Sequence, residues 1–400
     1  MTISTLSFQT NAVDQMDALQ QAMSKTQTEL STGKQIQTAA DNPVGMSQVV
    51  QLNTQLSASQ QYVTNGNLAS ASLNLETQAL SDATNTLQSA RSLLVEANNA
   101  SISPSQRQDI ATQLQQLEQQ LVGIGNRQDA QGNYLFSGYA AGTQPFVQNG
   151  SSVSYAGANE VSQVQLSAEQ SISSGDAGNA VFMNIPAGNG TFTTAAAAAN
   201  TGTASIGPGT VTDPSAWAPP DTYTISFNSS TSQYTVTNSG GATVATGPYT
   251  ASTGGTFSIA FKGIQLSFSG VPASGDTFTV APAGTASVFA TVAGAITTLN
   301  NSSLNSAQLA TQLNGALEQI DGAISHISQV QASVGGRVNA VTAAQSAAQS
   351  QQTDYQTSIS QISDTNYAAA TTQLSTEELA LQAAQSSYAS MMTLTLFKYI

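Results

Sequence analysis

Between Ile320 and Ile362, thirteen positions repeat at alternating spacings of four and three residues: Ile320, Ile324, Ile327, Gln331, Val334, Val338, Val341, Gln345, Ala348, Gln352, Tyr355, Ile359 and Ile362. A seam held this long at a mean of about 3.5 residues constrains the chain to a long α-helix packed along a helical partner, because the stripe of a straight helix drifts off such a seam by about 20° per heptad. Gln331, Gln345 and Gln352 interrupt it, and polar residues in a seam fix register at some cost in stability. Three shorter runs supply partners: Met16, Leu19, Met23, Thr26 and Leu30; Leu73, Glu76, Leu80, Ala83, Leu87, Ala90 and Leu94; and Ile110, Leu114, Leu117, Leu121 and Ile124.

Beyond Asn366 the seam shifts to Ala370, Leu374, Leu381, Ala384, Tyr388 and Met391. Ser363-Asp364-Thr365-Asn366 sits at the slip, and its side chains suit a helix break followed by a new N-cap. Thr32-Gly33 and Asp41-Asn42-Pro43 bracket a turn between the first two helices. Ser103 before Pro104 reads as the N-cap of the helix that runs to Gly125.

The chain divides by composition into three zones. Residues 5–132 and 285–395 are rich in Gln, Leu, Ala and Ser, good helix material with few breakers. Residues 140–284 are rich in Gly, Thr, Ser, Asn and aromatics. There Tyr223–Phe227, Tyr234–Val236, Phe257–Phe261, Ile264–Phe268 and Phe278–Val280 alternate with period two, and Lys262-Gly263 reads as a hairpin turn. Residues 187–220, with the alanine run at 195–199, read as loop. The fold class expected is α+β: an elongated antiparallel helical coiled-coil bundle from the N- and C-terminal segments, with an inserted, mainly antiparallel β-domain. Its expected coiled-coil core is Leu80, Leu87, Leu94, Leu114, Leu117, Leu121, Ile320, Ile324, Ile327, Val334, Val338 and Val341. The expected domains are 1–40 with 363–400 as terminal helices, 41–140 with 285–362 as a helical stalk, and 141–284 as the β-rich insert.

Charge narrows the function. Only 8% of residues are Asp, Glu, Lys or Arg, against about 25% in ordinary soluble domains. Neighbouring copies of so weakly charged a surface repel little, which suits a crowded polymer. The balance of 22 acidic against 8 scattered basic residues leaves no patch for nucleic acid or an anionic membrane. No run of about 18 apolar residues is long enough for a membrane span. With no cysteine, disulfides and thiolate metal sites are excluded. The start of the chain lacks the charged and apolar regions of a cleaved signal peptide, which with the missing span reads on its own as cytoplasmic; the polymer-like composition says otherwise, and an export route that needs no signal peptide would resolve the conflict.

No catalytic or cofactor site is expected. His326 is the single histidine, beside the long seam, with no second His or Cys to complete a metal site and no nucleophile elbow. Asp213, Asp221 and Asp276 lack calcium-loop spacing, and the paired glycines lack the strand, lysine and helix of a phosphate loop. The chain ends are more informative. Ile3, Leu6 and Phe8 at one end, and Leu394, Leu396, Phe397, Tyr399 and Ile400 at the other, are apolar where termini are usually polar and frayed. Beside heptad segments they are candidate assembly contacts.

Three regions carry a resemblance. Leu30-Ser31-Thr32-Gly33-Lys34-Gln35-Ile36 with Ala39-Ala40-Asp41-Asn42-Pro43 resembles the N-terminal signature shared by flagellins and the flagellar hook-associated protein 3 family. Asn133-Tyr134-Leu135-Phe136-Ser137-Gly138, with Thr143-Gln144-Pro145-Phe146, is similar to the latter family, as is the ending Leu394–Ile400, apart from Lys398, where an acidic residue is more usual. The resemblance implies a non-catalytic, extracellular junction protein of the flagellum, exported by the flagellar type III apparatus, with terminal segments disordered or flexible in the monomer. It implies as partners hook-associated protein 1, flagellin, further copies of the chain in a ring, and an export chaperone holding Leu374, Leu381, Tyr388 and Met391. A divergent minor flagellin, or a surface-adhesin role for the β-domain, are the alternatives.

Overall fold

The computed structural model describes residues 5–99, 101–217 and 221–393. The described chain is helical towards both ends with an antiparallel β-region between. Its helices are α1 (Thr5–Thr32), α2 (Pro43–Ala97), α3 (Pro104–Gly125), α4 (Val288–Asn300), α5 (Ser306–Ser363) and α6 (Tyr367–Thr393). Two compact units result, Met1–Thr64 with Gln345–Ile400, and Asn65–Ala344. Helices α2 and α5 contribute residues to both.

Local chemistry sets the helix starts. Ser103 and Gln106 form a reciprocal capping box: Gln106 N–H donates to Ser103 Oγ at 3.3 Å, and Ser103 N–H to Gln106 Oε1 at 2.9 Å. Pro104 then occupies a position whose missing N–H costs nothing. Asn42 caps α2 by accepting from Gly45 N–H at 2.9 Å, and Asn366 caps α6 through Ala369 N–H at 3.2 Å. Asn305 and Gln308 repeat the box at α5, with Gln308 N–H donating to Asn305 Oδ1 at 2.8 Å and Asn305 N–H to Gln308 Oε1 at 3.1 Å. That box separates α5 from α4, a break that composition alone does not reveal.

In the unit Asn65–Ala344 the heptad seams form one core. Leu80, Leu87 and Leu94 of α2, Leu114 and Leu121 of α3, and Ile320, Ile327, Val334 and Val341 of α5 are buried, while Leu117, Ile324 and Val338 are half-buried at its margin. Helix α4 packs on α3 and adds Phe289 and Val292. Each fully buried Leu or Ile contributes roughly 1.5–3 kcal/mol relative to exposure, which explains why the apolar seam dictates the fold. Arg91 on α2 grips Asp321 on α5 with two hydrogen bonds of 2.6 and 3.3 Å.

The β-region has a core of its own. A five-stranded antiparallel sheet runs in the order Thr243–Pro248, Gln233–Asn238, Tyr223–Asn228, Thr277–Pro282, Phe192–Ala196. A second sheet runs Thr256–Phe261, Ile264–Ser269, Ser205–Ile206, with Thr210–Val211 also on the middle strand. Tyr223, Ile225 and Phe227 point inward at every second position, as do Ile264, Leu266 and Phe268. Phe257 and Phe268 are cross-strand partners with rings stacked at 5.2 Å. Lys262 and Gly263 join those strands with φ of 48° and 72°, the twist a two-residue hairpin favours.

Residues 187–220 differ from expectation, since three strands lie within them. Phe192–Ala196 offers one large side chain among Thr and Ala, so no alternating apolar pattern announces it. Its neighbours are held instead by Asp276, whose buried carboxylate accepts from the N–H groups of Thr201 (2.9 Å), Gly202 (3.1 Å) and Ala273 (2.8 Å).

Candidate assembly surfaces

In the unit Met1–Thr64 with Gln345–Ile400, α1 and α6 pack as an antiparallel pair. The shielded positions on α1 are Gln9, Ala12, Met16, Leu19, Ala22, Met23, Thr26, Glu29 and Leu30; on α6 they are Ala370, Leu374, Glu377, Leu381, Ala384 and Tyr388. Gln9 Nε2 donates to Met392 Sδ at 3.3 Å at one end, and Thr365 Oγ1 to Glu29 C=O at 3.2 Å at the other. The pair leaves apolar surface uncovered: Phe8 is 49%, Leu379 68% and Met392 45% exposed. Of the candidate assembly contacts, Phe8 is therefore solvent-facing. Leu6 falls within α1 and Met391 within α6, while Ile3, Leu394, Leu396, Phe397, Tyr399 and Ile400 lie outside the described residues. Leu374, Leu381 and Tyr388 are half-buried on the face of α6 that α1 covers.

Both strands of this pair break at one level. Gly33, at φ +69°, ends α1, and Lys34 pairs with Asp364 in an antiparallel bridge. Gln35 N–H donates to Ser363 C=O at 2.7 Å and Thr365 N–H to Gly33 C=O at 2.9 Å, with Lys34 Nζ 2.6 Å from Asp364. Two helix breaks far apart in sequence are thus zipped into one joint. The salt bridge is exposed, and such pairs contribute at most about 1 kcal/mol, so the backbone bonds hold the joint. Asp41, in the α1–α2 turn, accepts from Thr38 and Gln37, which hold its carboxyl at about 2.

The Asn133–Gly138 motif belongs to the unit Asn65–Ala344 and is a packing knot. Phe136 is fully buried, edge-on to Phe182 at 5.2 Å. Phe146 lies 5.6 Å from Phe182 and 5.0 Å from Phe289. Asn126, just after α3, clamps Phe146 by donating to its C=O at 2.8 Å and accepting from its N–H at 2.9 Å. Two glycines make room for the ring, since a Cβ on Gly125 or on Gly178 would stand 2.6 Å from it. Gly138 has φ +60° and would place a Cβ 2.3 Å from Ala158 C=O and 2.4 Å from Glu160 C=O. Tyr155 Oη lies 2.9 Å from Phe136 C=O and 2.8 Å from Ala158 C=O. Sequence reading found the motif but missed Phe182 and Phe289, which lie far along the chain in a short π-turn (Asn179–Met183) and in α4.

Known proteins give this arrangement its context. Residues 3–141 match the bacterial flagellin N-terminal helical region, and residues 317–400 the flagellin C-terminal helical region. A crystal structure of flagellar hook associated protein-3 from Legionella pneumophila is 31% identical, covering 78% of this chain and 98% of that one with a TM-score of 0.74. The chain belongs to the flagellar hook-associated protein 3 family. The flagellar junction protein FlgL from Legionella pneumophila is another solved relative, 30% identical over 79% of this chain and 100% of that one, TM-score 0.69. Flagellar hook-associated protein 3 of Escherichia coli K12 is 32% identical over 157 residues, 39% of this chain. The chain spans about half (49%) the length of that curated relative. Residues 195–282 match the D2-like domain of flagellar hook-associated protein 1, so the β-region carries a likeness that its strand pattern alone did not disclose.

One buried polar cluster accompanies the motif. Glu76, in the α2 seam, is 1% exposed. Its Oε1 accepts from Asp176 N–H at 3.0 Å, while Oε2 is buried without a partner. Arg337 of α5 binds the Asp176 carboxylate and donates to Gly175 C=O at 3.1 Å. Burial first, and then the Asp176 charge, push the Glu76 carboxyl up to about 8. His326 Nε2 lies 2.8 Å from Ala180 C=O, tying α5 to the π-turn. Among the described residues no three His, Cys, Asp or Glu side chains converge as a metal site.

Proposed function

We propose that this chain is a non-catalytic structural component of the bacterial flagellum that joins hook-associated protein 1 to the flagellin filament. The observation that carries the proposal is its composite likeness. Both ends are similar to flagellin helical regions and the β-region is similar to a hook-associated protein 1 domain, as suits an adaptor with one neighbour of each kind. The exposed Phe8, Leu379 and Met392 on the terminal pair supply apolar surface for neighbouring subunits, including further copies of the chain in a ring. Export through the flagellar type III apparatus suits a cysteine-free chain that travels unfolded. An export chaperone would take Leu374, Leu381, Tyr388 and Met391; the first three lie on the face that α1 covers, so chaperone binding and α1–α6 pairing would exclude each other.

Removing residues 394–400 tests the assembly role of the apolar end. The truncated protein is expected to remain soluble, with the unfolding transition of the unit Asn65–Ala344 unchanged, and to fail to join hook fragments in a pull-down. Incorporation at the full-length level would contradict it. The alternative, a minor flagellin that forms the filament itself, rests on the same flagellin-like ends and differs in whether growth stops.

A further inference from the structure

The chain contains four Asn-Gly pairs: Asn65-Gly66, Asn149-Gly150, Asn189-Gly190 and Asn314-Gly315. Such a pair can cyclise when the glycine nitrogen is free to attack and the asparagine side chain is free to swing, since glycine puts no side chain in the way. The fold treats the four differently. Asn65-Gly66 and Asn314-Gly315 lie inside α2 and α5, where the glycine N–H belongs to the helical ladder. There Asn65 Nδ2 also donates to Gln165 C=O at 2.9 Å, and Asn314 Oδ1 accepts from Asn98 at 2.9 Å. At Asn189-Gly190, Gly190 N–H donates to Ala187 C=O at 3.0 Å. Asn189 Oδ1 accepts from Thr191 and Phe192 at 3.0 and 2.9 Å, and Nδ2 donates to Gly209 C=O at 2.9 Å.

Asn149-Gly150 has none of these restraints. It forms the tip of the hairpin of Phe146–Asn149 with Ser152–Tyr155, and both residues are exposed. Gly150, at φ +64°, is in a conformation only glycine takes easily, and a Cβ there would meet nothing within 4 Å. Among the described residues no hydrogen bond engages the Asn149 side-chain amide or the Gly150 N–H.

We propose that Asn149-Gly150 is a self-modification site at which this chain deamidates spontaneously through a succinimide. Gly150 N attacks Asn149 Cγ; a C–N bond forms, the Gly150 amide proton is lost to solvent base, and the side-chain nitrogen departs as ammonia. Water then opens the ring at one carbonyl or the other, giving aspartate or isoaspartate, without oxidant or reductant. Either product places a carboxylate at the hairpin tip. Isoaspartate also lengthens the backbone by one methylene beside the Asn149–Ser152 pair, and it is a substrate for an isoaspartyl carboxyl methyltransferase.

Full-length protein held at mildly alkaline pH, with peptide mapping by mass spectrometry, tests the assignment. The peptide containing Asn149 is expected to gain about 1 Da and to accept methyl label from an isoaspartyl methyltransferase, while the other three pairs stay unchanged. In denaturant all four should convert, showing that the fold makes the difference. Asn149→Gln, whose longer side chain disfavours the ring, should lose the shift with unchanged thermal unfolding. Conversion of Asn65, Asn189 or Asn314 in the native protein as fast as Asn149, or an Asn149 that converts only in denaturant, would overturn the proposal.

Discussion

Gly138→Ala is expected to lower the stability of the unit Asn65–Ala344 by several kcal/mol. The positive φ alone costs a non-glycine residue roughly 1–2 kcal/mol. The larger part comes from the Cβ, which would sit 2.3 Å from Ala158 C=O and 2.4 Å from Glu160 C=O. Both obstacles are backbone, so relief requires moving the segment that Tyr155 and Ser137 hold in place. Strain of that kind, added to the lost hydrogen bonds, brings the total to on the order of 3–4 kcal/mol. Gly132→Ala is the control, since Gly132 has φ +85° but nothing within 4 Å of its Cβ position. It should cost about 1–2 kcal/mol. Equal losses for the two variants in denaturant titrations would show that the close approach at Gly138 is not a constraint.

Glu76→Gln is expected to invert its effect with pH. In the fold the carboxyl holds its proton up to about 8, whereas its ordinary value is 4.5. The favourable contribution of the raised group is complete below about 4.5 and is lost as pH climbs towards 8, because the unfolded chain ionises first. Wild-type stability should therefore fall between those values, by an amount on the order of a few kcal/mol. Glutamine keeps the shape and an acceptor for Asp176 N–H but cannot ionise, so it should match or trail wild type near pH 5 and exceed it near pH 8.5. Urea unfolding at both pH values checks this; parallel curves would mean that Glu76 is ionised in the fold.

These two sites show what the sequence discloses and what it hides. The seam from Ile320 to Ile362 was legible throughout, because burial on a long helix repeats at a period that a single chain displays. Glu76 was legible as a seam position, but the reason a carboxylate occupies it was not: Asp176 and Arg337 reach it from 100 and 261 residues away (176 − 76; 337 − 76). The Asn133–Gly138 motif marked the family, yet its physical meaning needs Phe182 and Phe289. The strand Phe192–Ala196 was hidden for the opposite reason, as its Thr and Ala residues are placed by the sheet and by the Asp276 anchor rather than by their own pattern. The joint at Lys34 and Asp364 was readable as two separate breaks; their pairing exists only in three dimensions.

As a proposed junction between hook-associated protein 1 and flagellin, this chain would end one assembly and begin another. Purified protein added in excess to hook fragments bearing hook-associated protein 1, imaged by electron microscopy before and after flagellin is supplied, addresses it most directly. A junction role predicts a short collar whose length does not increase with protein concentration and from which a filament grows only after flagellin arrives. Continuous filaments growing from this chain alone would contradict it and identify the protein as a flagellin.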